Sequence, residues 1–297
     1  MIIFLLNKNQ FFTMFEYIPL AVALLGSSIA AAWDLKTTEI PDVIPHVMIA
    51  FAIIFYAAQS YLTWSYWPLL NSSIAGLGLL GLGFVMYFTG QWGGGDAKIL
   101  AAVGFLIPTY STPTMMPFAI SYLMNVFIVG AGYMIVYALA IATMNKKVLW
   151  KFFDSIKASK NVFLLGSVAL FAALLAGNYY IMRFLGLAFS IEAAFSNSLF
   201  PLAATIVLFV MWKFAKSVED FGFKKKIRAS QLKVGDVLFD SKIWDGITEK
   251  QLKKIRASGK KDIWIKEGVR FAPAFPLALL FTLYLGDGFL FFLKFFV

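Results

Sequence analysis

Hydrophobic runs of membrane-spanning length restrict the fold of this 297-residue chain more than any other feature. A helix needs about 20 apolar residues to cross the hydrocarbon core, whereas a barrel strand alternates over about ten. The runs here are long, continuous and rich in Leu, Ile, Phe and Ala, so they read as helices. Composition agrees: 60% of residues are hydrophobic and 14% charged, where a soluble domain is nearer half apolar and a quarter charged. An ordinary cytosolic enzyme, a disordered chain and a fibrous repeat are excluded. Candidate spans lie at 16–33, 45–64, 68–90, 97–114, 118–143, 162–182, 198–214 and 271–293. The fourth is the weakest, because Pro108 and Pro113 interrupt it. The expected fold class is an all-α polytopic membrane protein of 6–8 transmembrane helices, with a small α+β cytoplasmic segment before the last helix.

The charges test this layout. Eight spans starting from an outside N-terminus put 23 of the 26 Lys and Arg residues on one side: Lys36, Lys98, five lysines from Lys146 to Lys160, and sixteen basic residues from Lys213 to Arg270. That asymmetry sets the orientation by the positive-inside rule. It also accounts for the net charge of +10 through membrane lipids rather than nucleic acid. Met1–Gln10 is a poor signal peptide, with a short apolar run and no basic region before it. Met14 is an alternative start. The expected domains are a helical membrane domain over 14–214, a basic cytoplasmic segment over 215–270 and a final transmembrane helix over 271–297.

Residues 215–270 break the hydrophobic pattern. Gln231–Phe239 alternates around Val-Gly-Asp and predicts a strand or hairpin. Thr248–Ser258 predicts a short helix, with Thr248 and Gln251 at capping-box spacing and Gly259 in the place of a C-cap. Asp262–Lys266 predicts another strand. Two readings stand side by side: a tethered cap, or a docking surface that admits a substrate.

Ionisable groups in or beside membrane spans are costly, and each is a functional candidate. With no Cys and the single His46, neither disulfides nor a Cys- or His-based metal cluster is expected. Asp34 stands at the inner end of the first span, in Ala30–Asp42, and Asp96 at the mouth of the fourth, in Thr89–Leu100. Taken singly, the first reads as an interfacial helix end and the second as an N-cap in a glycine-rich turn. Three consecutive glycines, Gly93, Gly94 and Gly95, exceed what a cap requires. They remove every Cβ beside the carboxylate, so another backbone can come close. Both acids fall on one membrane face at the ends of different helices, and each precedes a lysine by two residues, Lys36 and Lys98. Those lysines either tune the charge of the acids or anchor the helices at headgroups, anchoring being favoured. Two carboxylates close together cannot both ionise easily, so one keeps a proton while the other acts as base. Such chemistry needs no cofactor and no metal. Asp287, in Leu285–Phe289, falls near the outer end of the last span and reads as a helix-end or turn residue; Glu39 and Asp42 read as exposed on the inner loop.

At these residues the sequence resembles a known family. Trp92–Lys98 (WGGGDAK) matches the GxGD signature of intramembrane aspartyl proteases. Trp33–Asp42 (WDLKTTEIPD) is similar to the other catalytic segment of the type IV prepilin peptidases, and the 62-position separation of Asp34 and Asp96 suits that branch. Within it, the likeness is to archaeal preflagellin and prepilin peptidases, over residues 14–110 and more loosely over 225–290. The resemblance implies a membrane aspartyl endopeptidase with Asp34 and Asp96 as the catalytic pair. Its partner would be a pilin or archaellin precursor with a class III signal peptide, cut at the cytoplasmic face of the cell membrane. The family's bacterial members carry a Cys-rich segment linked to N-methylation. Its absence here implies no methyltransferase activity. A signal-peptide-peptidase-like protease cutting deep in the bilayer is the alternative within the class. Outside it stand a proton- or cation-coupled transporter, which predicts acids near mid-membrane, and a non-catalytic scaffold.

Overall fold

The computed structural model describes residues 8–110, 115–186, 188, 190–241, 246–258, 261–266, 268–288 and 290. It divides into two compact units, residues 1–136 with 225–297, and residues 137–224. Among the described residues six helices are long and apolar enough to cross a membrane, and the protein is a multi-pass helical membrane protein.

In the first unit, α1 (Lys8–Thr37), α2 (Val43–Thr63) and α3 (Trp67–Phe88) surround the short α4 (Gly94–Leu106). The start of α5 (Phe118–Met144) and the late α10 (Ala274–Leu285) pack in the same unit. α1 stops where Thr38 turns left-handed (φ 62°), and Pro41 follows before α2 begins. α4 has no polar face beyond its first turn, and Ile99–Leu106 is buried throughout, as an all-apolar helix must be. Its last carbonyls are satisfied from inside the bundle. The Ser72 hydroxyl donates to the Phe105 carbonyl at 2.6 Å and the Tyr56 hydroxyl to the Leu106 carbonyl at 2.7 Å.

The expected eight spans therefore resolve differently. The stretch 97–114 contributes a 13-residue helix that ends before Pro108; of 271–293 the described residues hold the 12-residue α10, and 289 and 291–293 lie outside the described residues. Pro108 disfavours helical backbone at the residue before it, and Ile107 has left the helix at φ −128°, ψ 70°.

Before α10 the first unit carries a three-stranded sheet in the order β1-β3-β2, from β1 (Lys224–Arg228), β2 (Val237–Leu238) and β3 (Asp262–Lys266). β2 and β3 are antiparallel, with Val237 opposite Lys266 and Leu238 opposite Ile265. α9 (Glu249–Ala257) packs on the sheet around Leu232, Ile247 and Ile263. The expected capping box is present: the Thr248 N–H donates to the Gln251 side chain at 2.8 Å and the Gln251 N–H to the Thr248 hydroxyl at 3.4 Å. The expected Gly259 cap lies outside the described residues. β1 was not expected, because Lys224–Arg228 shows no apolar alternation, and the Gln231–Phe239 stretch contributes only two strand residues.

The second unit holds the end of α5, the amphipathic α6 (Lys146–Ala158), α7 (Lys160–Phe184), α8 (Ile191–Val218) and a π-turn at Glu219–Phe223. α6 packs on α8 through Val148 and Val218, and the Ser217 hydroxyl donates to the Val148 carbonyl at 2.8 Å. α7 meets α8 through stacked Phe163 and Phe209 rings, 4.4 Å between centroids.

α4 is set deep against α3 because small residues face each other there. A Cβ on Gly83 would stand 2.9 Å from the Ala97 Cα. Backbone at both sides leaves no side chain to swing away, so Gly83→Val is expected to cost about 1–3 kcal/mol by overpacking. Gly81→Val, where nothing lies within 4 Å of the added carbon, is the control. Thermal unfolding of both variants in the same detergent should lower the midpoint for Gly83→Val well below that of Gly81→Val.

Candidate functional site

Asp34 and Asp96 enter the site from different helices. Asp34 lies in the last turn of α1, where the helix would ordinarily reach an aqueous edge, yet it is only 4% exposed. Its Oδ2 accepts the Ala272 N–H at 2.9 Å, from the segment that leads into α10. The Arg270 guanidinium lies within electrostatic reach of the same carboxyl group.

Asp96 sits in the first turn of α4, where the glycine turn of Gly93–Gly95 gives way to helix. It is not the N-cap itself. Gly93 takes that position with extended backbone (φ −75°, ψ 157°), and its N–H donates to Asp96 Oδ2 at 3.0 Å. Asp96 thus plays the part of the acidic residue in a capping box, and the helix N-terminus favours negative charge there. Burial works the other way and is the larger effect. With the Asp34 charge acting in the same direction, it pushes the Asp96 carboxyl up to about 7 against the pull of the Gly93 N–H. The two acids named from sequence are therefore brought within electrostatic reach of each other.

The glycines do allow a close approach, but by a side chain and not by the backbone the sequence suggested. A Cβ on Gly95 would stand 2.9 Å from Ile40 Cβ, so the α1–α2 loop rests directly on the α4 turn. Lys98 reinforces the contact with a 2.6 Å ion pair to Asp42. Lys98 thus ties the two aspartate-bearing segments together, a use beyond headgroup anchoring; Lys36 is exposed in the last turn of α1. His46 is exposed near the start of α2, and Glu39 is exposed on the loop.

Several neighbours were given no role by the sequence reading. Trp92 is 7% exposed and packs its ring against Phe127, Phe271 and Phe275, at 5.6, 5.7 and 5.9 Å between centroids. The backbone at Gly268 comes close to Thr38, where a Cβ would stand 3.2 Å from the Thr38 carbonyl oxygen. The turn at Gly235, in the sheet segment, faces the Glu39 carboxylate in the same way, at 3.3 Å. Ala272 acts through its backbone N–H, which no residue pattern marks.

Asp287 differs from a plain helix-end residue. It is 7% exposed, one carboxylate oxygen accepts the Met115 N–H at 2.6 Å, and the other accepts the Ser121 hydroxyl. Next to it, Asn125 donates to Thr282 Oγ1 and to the Gly286 carbonyl, each at 2.8 Å. This buried polar cluster fastens the far end of α10 to α5.

Residues 21–139 match the type IV leader peptidase family. The preflagellin peptidase of Methanocaldococcus jannaschii is 33% identical over 96 residues, which is 32% of this chain and 41% of the relative. That of Methanococcus voltae gives the same identity and coverage. The prepilin peptidase EppA of Methanothermobacter thermautotrophicus is 27% identical over 118 residues, 40% of this chain and 30% of the relative. The chain thus spans less than half the length of the curated relatives it matches. The family match ends at residue 139, short of the looser likeness read over 225–290. The resemblance to type IV leader peptidases accordingly holds over residues 21–139, the stretch that carries Asp34, Asp96 and the glycine turn.

Proposed function

We propose that this chain is a membrane aspartyl endopeptidase of the GxGD type. Its substrate is a pilin or archaellin precursor, and it removes the short basic leader at the cytoplasmic face of the cell membrane. The observation that carries the reading is the convergence of Asp34 and Asp96 from separate helices, with the Asp96 carboxyl pushed up to about 7. A carboxyl titrating there holds its proton about half the time at neutral pH, where an ordinary aspartate has lost it, so it can act as the acid while its partner serves as base. The names of the relatives, preflagellin and prepilin peptidases, supply the substrate class.

In this mechanism one aspartate takes a proton from a water molecule as its oxygen attacks the scissile carbonyl. The other donates to the carbonyl oxygen, and the leaving amine is protonated as the C–N bond breaks. A cut at the membrane edge suits the substrate as well. Peptide unwound there finds water for its freed backbone groups, which the hydrocarbon core would not provide. No methyl transfer is proposed.

Membranes carrying wild type, Asp34→Asn or Asp96→Asn test the reading against a panel of leader-bearing precursors. Wild type should cut at the leader junction, and each variant should lose activity by about 10²–10⁴-fold or more while remaining folded. A variant that still cuts at the wild-type rate, or a wild type that cuts no precursor in the panel, contradicts it.

Stability gives a second, catalysis-free check. The folded-state value for Asp96 stands near 7 against 3.8 for an ordinary aspartate. Between those values the folded chain holds a proton that the unfolded chain has lost, so the Asp96 contribution to stability falls as pH rises through that window. Asp96→Asn removes this dependence. Its unfolding midpoint should gain on that of wild type from about pH 4 to pH 7 and hold the gain above. Parallel midpoint-against-pH curves for the two proteins would contradict the burial of an acid at this position.

A further inference from the structure

The segment between β3 and α10 carries neither of the two aspartate motifs, yet it touches both halves of the proposed site. It runs as a strap from Gly268 to Ala272. Its first residue lies against Thr38, at the end of the α1–α2 turn. A tight turn follows, closed by the Phe271 N–H to the Val269 carbonyl at 3.0 Å, with Arg270 at its centre. The Tyr133 hydroxyl of α5 holds the Arg270 carbonyl at 2.8 Å. Phe271 packs on Trp92, the residue before the glycine turn, and its ring fills the space left at Gly130. The strap ends at Ala272, fully buried, with its N–H on Asp34 Oδ2. A backbone hydrogen bond, an anchored carbonyl and an aromatic contact thus fix the position of one cation, Arg270, beside one of the two acids.

The charges around Asp34 are unequal in what they can do. Asp96 faces it from α4 as a second acid. Lys36, on its own helix, is exposed. Lys98 already pairs with Asp42. Arg270 comes from the strap and acts on Asp34, and a guanidinium cannot lose its charge in the working pH range.

Resting on the leader-peptidase reading, we propose that the strap is a working part of the site and that Arg270 is a positioning residue. Its cation selects Asp34 as the charged member of the pair and leaves the proton on Asp96. The Asp34 carboxylate then removes a proton from water, whose oxygen bonds to the peptide carbon, while Asp96 gives its proton to the carbonyl oxygen. On collapse, one hydroxyl proton of the resulting diol returns to Asp96 and the C–N bond breaks. The amine takes the proton held by Asp34, and the starting protonation is restored. Ala272 keeps one Asp34 oxygen occupied, so the other is the one offered to water.

Infrared titration of the carboxyl bands of the purified protein in lipid nanodiscs, assigned with Asp34→Asn and Asp96→Asn, reads the coupling without catalysis. Arg270→Met should move the first ionisation of the pair up by about one unit or more, as loss of a neighbouring opposite charge does. Arg270→Lys should restore most of the wild-type titration. Tyr133→Phe, which loosens the strap without removing a charge, should shift it in the same direction by less. In precursor cleavage, Arg270→Met should lower kcat about tenfold near pH 6 with KM unchanged, and its pH–rate profile should shift with the infrared titration. An unshifted titration in Arg270→Met overturns the assignment, as does a loss of activity that Arg270→Lys fails to rescue. A wild type that cuts no precursor overturns the protease reading alone, because the infrared arm still decides whether Arg270 governs the pair.

Discussion

The hydrogen bond from the Ala272 N–H to Asp34 Oδ2 is the interaction on which the arrangement turns. A carboxylate buried at the end of a membrane helix is costly unless something satisfies it. Here the donor comes from 238 positions away, at the threshold of the last described helix. That bond ties the entry of α10 to the end of α1. Through Phe271 and Trp92 it also fixes the approach to the glycine turn that presents Asp96. The far end of α10 is fastened to α5 by the Asn125 and Asp287 cluster. The helix is therefore pinned at both ends, and the acid pair is set at its N-terminal one.

Around that bond the bundle is built for closeness. α4 is too short to stand among the long apolar helices, and its role is internal: it carries Asp96 to the level of Asp34 and packs behind it. Glycine and alanine along α3 and α4 allow the approach, and Ser72 and Tyr56 complete the backbone hydrogen bonds that a buried helix end would otherwise leave open. At its other end the Gly95 contact with Ile40 and the Lys98–Asp42 pair join the two acid-bearing segments. The ion pair is partly exposed, on its Asp42 side above all, so it orients the loop more than it stabilises the fold.

What could be read in advance follows from which physics is local. Long apolar runs announce helices, a capping box announces the start of α9, and three glycines before an acid announce a close approach. Each is written within a few residues. The pairing of Asp34 with Asp96 was legible because membrane acids are rare enough for two on one face to stand out. The Ala272 donor was not legible, since a backbone N–H looks the same at every residue. Arg270 was hidden among sixteen basic residues whose plain reading is topology. Asp287 was misleading for the same reason in reverse: beside Gly286 it resembles a turn residue, and only its distant partners Ser121 and Met115 show it as buried. The length of α4 was overread because hydropathy continues past Leu106, whereas helical backbone stops ahead of Pro108.

The central claim is that Asp34 and Asp96 face each other across the junction of α1 and α4. The chain has no cysteine, so the double variant Asp34→Cys, Asp96→Cys offers only those two thiols for cross-linking in native membranes. Mild oxidation or a short bismaleimide should join them within one chain, seen as a single linked peptide pair by mass spectrometry. Asp34→Cys with Asp287→Cys, whose partners lie at opposite ends of α10, should remain unlinked. If both thiols of the first pair take up a monofunctional maleimide yet never cross-link, the two acids do not share a site and the account fails.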